Sequence, residues 1–197
     1  IGYDTSNIPW SVGNPYLRLA GYALVDTYNG DIQLIQQQNQ GKGAAVQNGI
    51  TSCKGEYVLV QDADLEYDPY DYLPMLTKLK DHPNSAIYGS RILGEIKTNG
   101  YSIVCPGKHK EQGVGPWLAG VVLSLWTAIL YQIWITDTLT SYKIYPKDFL
   151  NQIKVKTKGF ETDHELTSKL TKEKISILEV PIHYKPRSTE DGKKIRM

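Results

Sequence analysis

An α/β fold with a mainly parallel sheet flanked by helices is what this sequence predicts, and three observations predict it. Strand-like and helix-like patterns alternate from residue 32 to residue 91, as βαβ units do. Tyr57-Val58-Leu59-Val60 is an unbroken apolar run of strand length, expected of a strand covered on both faces. Asp62, Asp64 and Glu66 follow at alternate positions, where such sheets open their ligand crevice.

The elements follow in order. Residues 32–36 (IQLIQ) read as a strand, and 43–53 as a helix ending before Gly55. The strand over 56–61 leads into the acidic segment, and Asp68-Pro69 opens a helix to about residue 80, with Asp68 as its N-cap. Residues 86–91 form a short strand that delivers Arg91 at its end. Residues 94–115 hold five glycines and no period, so they read as a long loop. An apolar helix over 116–135, a strand or loop over 140–145, a helix over 160–172 and a strand over 175–180 complete the pattern.

With 197 residues and 41% hydrophobic content, the chain builds one core and reads as a single domain, 1–197. A net charge of +1 supplies no field that would select nucleic acid. Cys53 and Cys105 match no metal spacing and read as free thiols. Residues 116–135 carry no charge and include Trp117, Trp126 and Trp134, which points to membrane contact, whether across the bilayer or along its surface. A core helix of a soluble protein is the competing reading.

Three carboxylates crowded at a strand end repel one another and call for a positive partner. A hard divalent cation held by one or two carboxylates plus substrate phosphates is the usual solution. Asp62 and Asp64 cap nothing obvious and read as metal or substrate ligands, whereas Asp68 and Asp71 read as structural. Gly41 and Gly43 suit either a helix entry or a close backbone approach to a ligand, with Lys42 between them.

Six segments then occur in order: NQGKGAAVQNG (39–49), QDADLEYDP (61–69), YGSR (88–91), TDTLTSYKIY (136–145), KGFETDHEL (158–166) and EVPIHYKPRSTEDGKKI (179–195). Together they resemble the family 2 glycosyltransferases, in particular the dolichol-phosphate mannose synthase-like branch that makes polyprenyl-phosphate sugars. The resemblance implies a GT-A fold, a GDP- or UDP-hexose donor, Mg²⁺ or Mn²⁺, and a polyprenyl phosphate acceptor at the cytoplasmic face of a membrane. It implies Gly41, Lys42, Gly43 and Asp62 at the donor, and Asp62, Asp64 and Glu66 at the metal, with Asp64 as the main ligand. Arg91, Arg187 and Lys193 would meet phosphate, the last two from a basic loop closing over the pyrophosphate. Asp137 would act as base or orienting group toward the acceptor. Glu161 and Glu165 share a helical face and either line the sugar site or meet solvent. His164 and His183 receive no catalytic role.

Residues 1–30 do not reproduce the aspartate-bearing first strand of that family, and Val25-Asp26-Thr27 is only a faint echo of it. The first strand region is therefore expected to be altered or truncated, with a weakened nucleotide pocket. Two alternatives follow: a family 2 transferase with a polysaccharide or other lipid acceptor, and a catalytically impaired membrane-associated protein that binds nucleotide sugars.

Overall fold

A computed structural model describes residues 21–25, 32–36, 40–62, 65–100 and 104–186. Asp64, Arg187 and Lys193 lie outside these residues. The elements are β1 (Gly21–Val25), β2 (Ile32–Gln36), α1 (Lys42–Ser52), β3 (Tyr57–Val60), α2 (Tyr72–Asp81), β4 (Ala86–Ser90), α3 (Arg91–Asn99), α4 (Val114–Tyr131), β5 (Lys143–Pro146), α5 (Lys147–Gln152), α6 (Thr162–Lys172) and β6 (Ile177–Pro181).

The main sheet has the order β3-β5-β4-β6. Strands β3, β4 and β6 run in one direction, since β4 pairs parallel with β6 and both β3 and β4 pair antiparallel with β5. The expected α/β architecture is present, with one strand inserted against the common direction. Alternation along the strands divides the core in two. Ala86, Tyr88 and Tyr145 join Ile50, Phe149, Leu150, Leu166 and Leu170 on one face, beneath α1, α5 and α6. Ile87, Ile144, Val180 and Ile182 join Met75 and Leu79 of α2 on the other.

The first two described strands form a separate two-stranded sheet. β1 pairs antiparallel with β2, from Gly21↔Gln36 to Val25↔Ile32, and α1 packs on β1. The two strands are separated by residues 26–31, too few for a crossover helix.

Two helices fall where sequence patterning gave none. α3 takes up the start of the expected loop, residues 94–99: Ser90 caps it by accepting a hydrogen bond from the Leu93 N–H, and Gly94 sits inside it. A Cβ at Gly94 would lie 1.8 Å from the Ile182 carbonyl oxygen, so the glycine permits the helix to press on the chain beyond β6 and does not break it. α5 is a six-residue helix directly after β5, too short to show a period. Asp68 behaves as expected, accepting from the Tyr70 N–H at the start of a 3₁₀ turn over Pro69–Asp71 that leads into α2.

α4 is amphipathic in the inverted sense. Its buried residues are Ser124 and Thr127, three apart on one face, while Leu118, Val122, Leu125, Trp126, Ile129 and Leu130 are half or more exposed. The Ser124 hydroxyl donates to the Thr136 carbonyl, and the Trp117 indole N–H to the Pro106 carbonyl, fixing the helix to the body at its middle and near its start.

Candidate functional site

The site is built where β3 ends, because three other elements bring charged side chains to that point. Lys42 opens α1, Ser141 precedes β5 by two residues and Asp163 lies in the first turn of α6. The Lys42 ammonium donates to Asp62 Oδ2 at 3.2 Å, to Ser141 Oγ at 2.8 Å and to Asp163 Oδ2 at 3.3 Å. Burial works against its charge, but Asp163 and Asp62 outweigh that and raise its pKa. An ammonium has three N–H groups and all three are engaged. Lys42, expected to touch the donor directly, is thus held by its own protein.

Ser141 Oγ accepts from Lys42, so its single proton goes to Asp62 Oδ2. Asp62 Oδ1 makes no hydrogen bond among the described residues, and a third of the side chain is exposed (33%). Behind this cluster Asp163 Oδ1 meets Lys143 Nζ at 3.3 Å. Lys143 is wholly buried, donates also to the Thr138 carbonyl and lies 4.8 Å from the Tyr88 ring centroid. Here desolvation exceeds the pull of Asp163 and lowers the lysine pKa.

Gly41 and Gly43 serve the same corner. Gly41 has φ 100°, and a Cβ there would lie 2.4 Å from the Lys158 carbonyl oxygen; at Gly43 it would lie 1.9 Å from Thr162 Oγ1. A close backbone approach at both glycines is thus made by residues 158–162, at the turn into α6. Gly43→Ala is expected to destabilise the protein by about 2 kcal/mol through overpacking, read as a lower urea midpoint. An unchanged midpoint would mean that the turn yields.

A second cluster surrounds Arg91. Its Nε and Nη2 donate to Asp137 Oδ2 and Oδ1 at 2.7 and 2.8 Å, and its backbone N–H adds a third bond at 3.0 Å. Burial opposes the charge of Asp137, yet Arg91 holds its carboxyl below the usual carboxylate range. These three bonds hold Arg91 and Asp137 in a fixed mutual orientation. Glu179 of β6 fixes the loop carrying Asp137 by accepting from the Thr136 and Asp137 N–H groups and the Thr136 hydroxyl. Tyr184 lies under the guanidinium, 5.0 Å from ring centroid to Cζ, and its hydroxyl donates to Glu66 Oε2 at 2.7 Å. Glu66, expected at the metal, is buried and engaged with the chain after β6, which also bridges Tyr67 to Tyr184. Among the described residues no three His, Cys, Asp or Glu side chains converge as a metal set.

The sequence matches the family described as Glycosyl transferase family 2 over residues 20–119, half of the 197-residue chain. The chain belongs to the family 2 glycosyltransferases. The α/β architecture above is accordingly GT-A-like. The chain is 24% identical over 162 residues to the low-salt glycan biosynthesis hexosyltransferase Agl6 of Haloferax volcanii, covering 82% of this chain and 37% of that protein. It is also 24% identical over 150 residues to the uncharacterized protein MJ0544 of Methanocaldococcus jannaschii, covering 73% of this chain and 59% of that one. The chain thus spans about two fifths and three fifths of these relatives. Among solved structures, glucosyl-3-phosphoglycerate synthase from Mycobacterium tuberculosis with phosphoglyceric acid aligns with a TM-score of 0.49 at 14% identity, over 79% of this chain and 50% of that one.

Sequence reasoning missed Ser141, Lys143, Asp163, Glu179 and Tyr184. Only Asp163 had a local signal, as an acid in KGFETDHEL, and there attention went to its neighbours. Of those, Glu165 turns out to organise the loop. It accepts from the Lys156 and Thr157 N–H groups and the Thr157 hydroxyl, and pairs with Lys169 at 2.7 Å. Burial alone would raise its pKa, but Lys169, Thr157 and Lys156 together lower it to about 2. A carboxylate depressed in the folded state stabilises above its unfolded pKa, near 4.3, and that stability is lost as pH falls toward 2. Glu165→Gln should therefore cost on the order of 2 kcal/mol at pH 7 and progressively less below pH 4. A cost independent of pH would refute this account.

Proposed function

We propose that this chain is a metal-dependent, inverting hexosyltransferase that moves a hexose from a UDP- or GDP-sugar to a polyprenyl phosphate at the cytoplasmic face of a membrane. The observation that carries the reading is Asp62 at the end of β3, with Oδ2 held from within by Ser141 and Lys42 and Oδ1 without a described partner. A carboxylate with one oxygen open and its side chain a third exposed (33%) fits a ligand of a hard cation. Asp62 and Asp64 would hold Mg²⁺ or Mn²⁺ together with the donor phosphates, and the ion would neutralise charge on the departing diphosphate. Glu66, bonded to Tyr184, would anchor the segment leading to Arg187 and Lys193. The relation to a hexosyltransferase supports the choice of sugar.

An acceptor phosphate oxygen attacks the anomeric carbon as its bond to the diphosphate oxygen breaks, and the bonding pair leaves with the nucleoside diphosphate. A phosphate monoester with a second pKa of about 6 is mostly dianionic at neutral pH, so no strong base is needed. Arg91 suits the acceptor phosphate: Asp137 orients it, its Nη1 makes no hydrogen bond among the described residues, and the side chain is 24% exposed. What the protein supplies is alignment and charge.

The lipid acceptor is supported by α4, which has a mean hydropathy of 1.6 and an exposed apolar face over its whole length. Because Ser124 and Thr127 face the protein and Ser124 bonds to the Thr136 carbonyl, the helix would lie along the membrane surface and not cross it. One observation favours a neutral glycan acceptor instead, namely that two of the Arg91 nitrogens are already engaged by Asp137.

Calorimetry with UDP- and GDP-sugars, in Mn²⁺ and in EDTA, tests the donor, and transfer to a short polyprenyl phosphate or to a neutral glycan tests the acceptor. Metal-dependent binding of one nucleotide and transfer to the phosphate are expected. Binding of neither nucleotide would favour the impaired reading.

A further inference from the structure

We infer that Ser141 is a positioning residue of the donor pocket, which with Lys42 holds Asp62 by Oδ2 and leaves Oδ1 without a hydrogen bond among the described residues. The inference rests on the reading of Asp62 as a donor and metal ligand. Proton bookkeeping forces the arrangement. Lys42 can only donate, so Ser141 Oγ must accept from it, and the hydroxyl proton is left for Asp62 Oδ2. Asp62 Oδ2 therefore accepts twice, from Ser141 and from Lys42 at 3.2 Å, and the carboxylate has one oxygen remaining.

Ser141 is itself held on both sides. It is 5% exposed, and its backbone N–H donates to the Tyr67 hydroxyl at 3.1 Å. Tyr67 stacks on Tyr142 with ring centroids 4.6 Å apart. Lys42 is braced from behind by Asp163, whose other oxygen is on the buried Lys143. A hydroxyl in such a frame sets the carboxylate angle without touching substrate. Its removal leaves Asp62 Oδ2 with Lys42 alone, so the carboxylate angle is less well set and part of the ordering must be supplied when donor binds.

The test is a double-mutant cycle of Ser141→Ala and Lys42→Met, read by calorimetric titration of the UDP- or GDP-sugar in Mn²⁺. Ser141→Ala alone should weaken binding about tenfold, the size of a hydrogen bond to a charged group, with kcat within about threefold. In the Lys42→Met background the same change should weaken binding less than threefold, because the frame is already broken. A merely structural serine would instead lower the urea midpoint and leave the affinities additive, which would overturn the inference. So would an unchanged affinity in Ser141→Ala. If Ser141→Ala does not fold, Ser141→Cys, close in size and a poor donor, replaces it. If the wild type binds no nucleotide, the cycle is read on urea midpoints. Non-additive midpoints would then keep the Ser141–Lys42–Asp62 frame while the donor reading fails, and additive midpoints would remove both.

Discussion

Arg91→Ala is expected to cost about 3–5 kcal/mol of folding stability at neutral pH, the range for breaking a buried ion pair on one side. Asp137 is 5% exposed, and both its oxygens rest on the guanidinium. Without Arg91 the carboxylate keeps the Arg91-position backbone N–H and a distant Lys143, too little to offset its desolvation. The pH dependence separates this cause from simple loss of packing. In the wild type the Asp137 pKa lies below its unfolded value, so its contribution is complete above about pH 4 and is lost as pH falls further. In Arg91→Ala burial dominates and the sign reverses: the carboxyl is raised, takes up a proton in the folded state, and the deficit shrinks as pH falls from 7 to 4. Urea unfolding of both proteins at these two values checks the argument. Equal deficits at both would assign the loss to packing against Tyr184. A paired Arg91→Met, Asp137→Leu variant should recover much of the loss, since no uncompensated charge remains.

The parts of this fold that were legible in the sequence are those set by local pattern. IQLIQ, the YVLV run, the strand ending at Arg91 and the α6 helix all fall close to their expected bounds, because apolar period and caps decide them. The antiparallel insertion of β5 between β3 and β4 was not legible, since strand direction is settled by pairing and not by composition. Gly94 misled because a helical glycine and a loop glycine look alike until Ile182 is seen pressing on it. At the site the same division holds. Asp62 and Arg91 stood out by position at strand ends, and both lie in charged clusters. Their partners lie far off in sequence, 79 residues for Asp62 with Ser141 and 46 for Arg91 with Asp137, and no local spacing encodes such contacts. Inverted amphipathicity in α4 also needed the structure, since a sequence lists apolar residues without saying which side Ser124 faces.

Asp64→Ala is expected to reduce metal-dependent sugar transfer by about three orders of magnitude or more, because a divalent ion at a departing diphosphate supplies several kcal/mol of transition-state stabilisation. The neighbouring acid should respond differently. Asp62 already meets two donors of its own protein, so Asp62→Ala would remove the proposed ligand and also release the Lys42 ammonium, which keeps Asp163 and Ser141. A freed N–H on Lys42 can then reach a donor phosphate, and part of the binding is recovered while its metal dependence falls. Asp64→Ala should thus leave weak binding of the nucleotide sugar with no response to Mn²⁺ and no transfer, whereas Asp62→Ala should show weaker Mn²⁺ dependence and residual transfer. Titration of Mn²⁺ and nucleotide sugar into each variant, with transfer to a short polyprenyl phosphate measured alongside, checks both. Undiminished transfer by Asp64→Ala would sink the metal assignment. A complete loss in both variants would mean that Lys42 stays bound to Asp163 and cannot substitute, which places the whole donor requirement on the two aspartates.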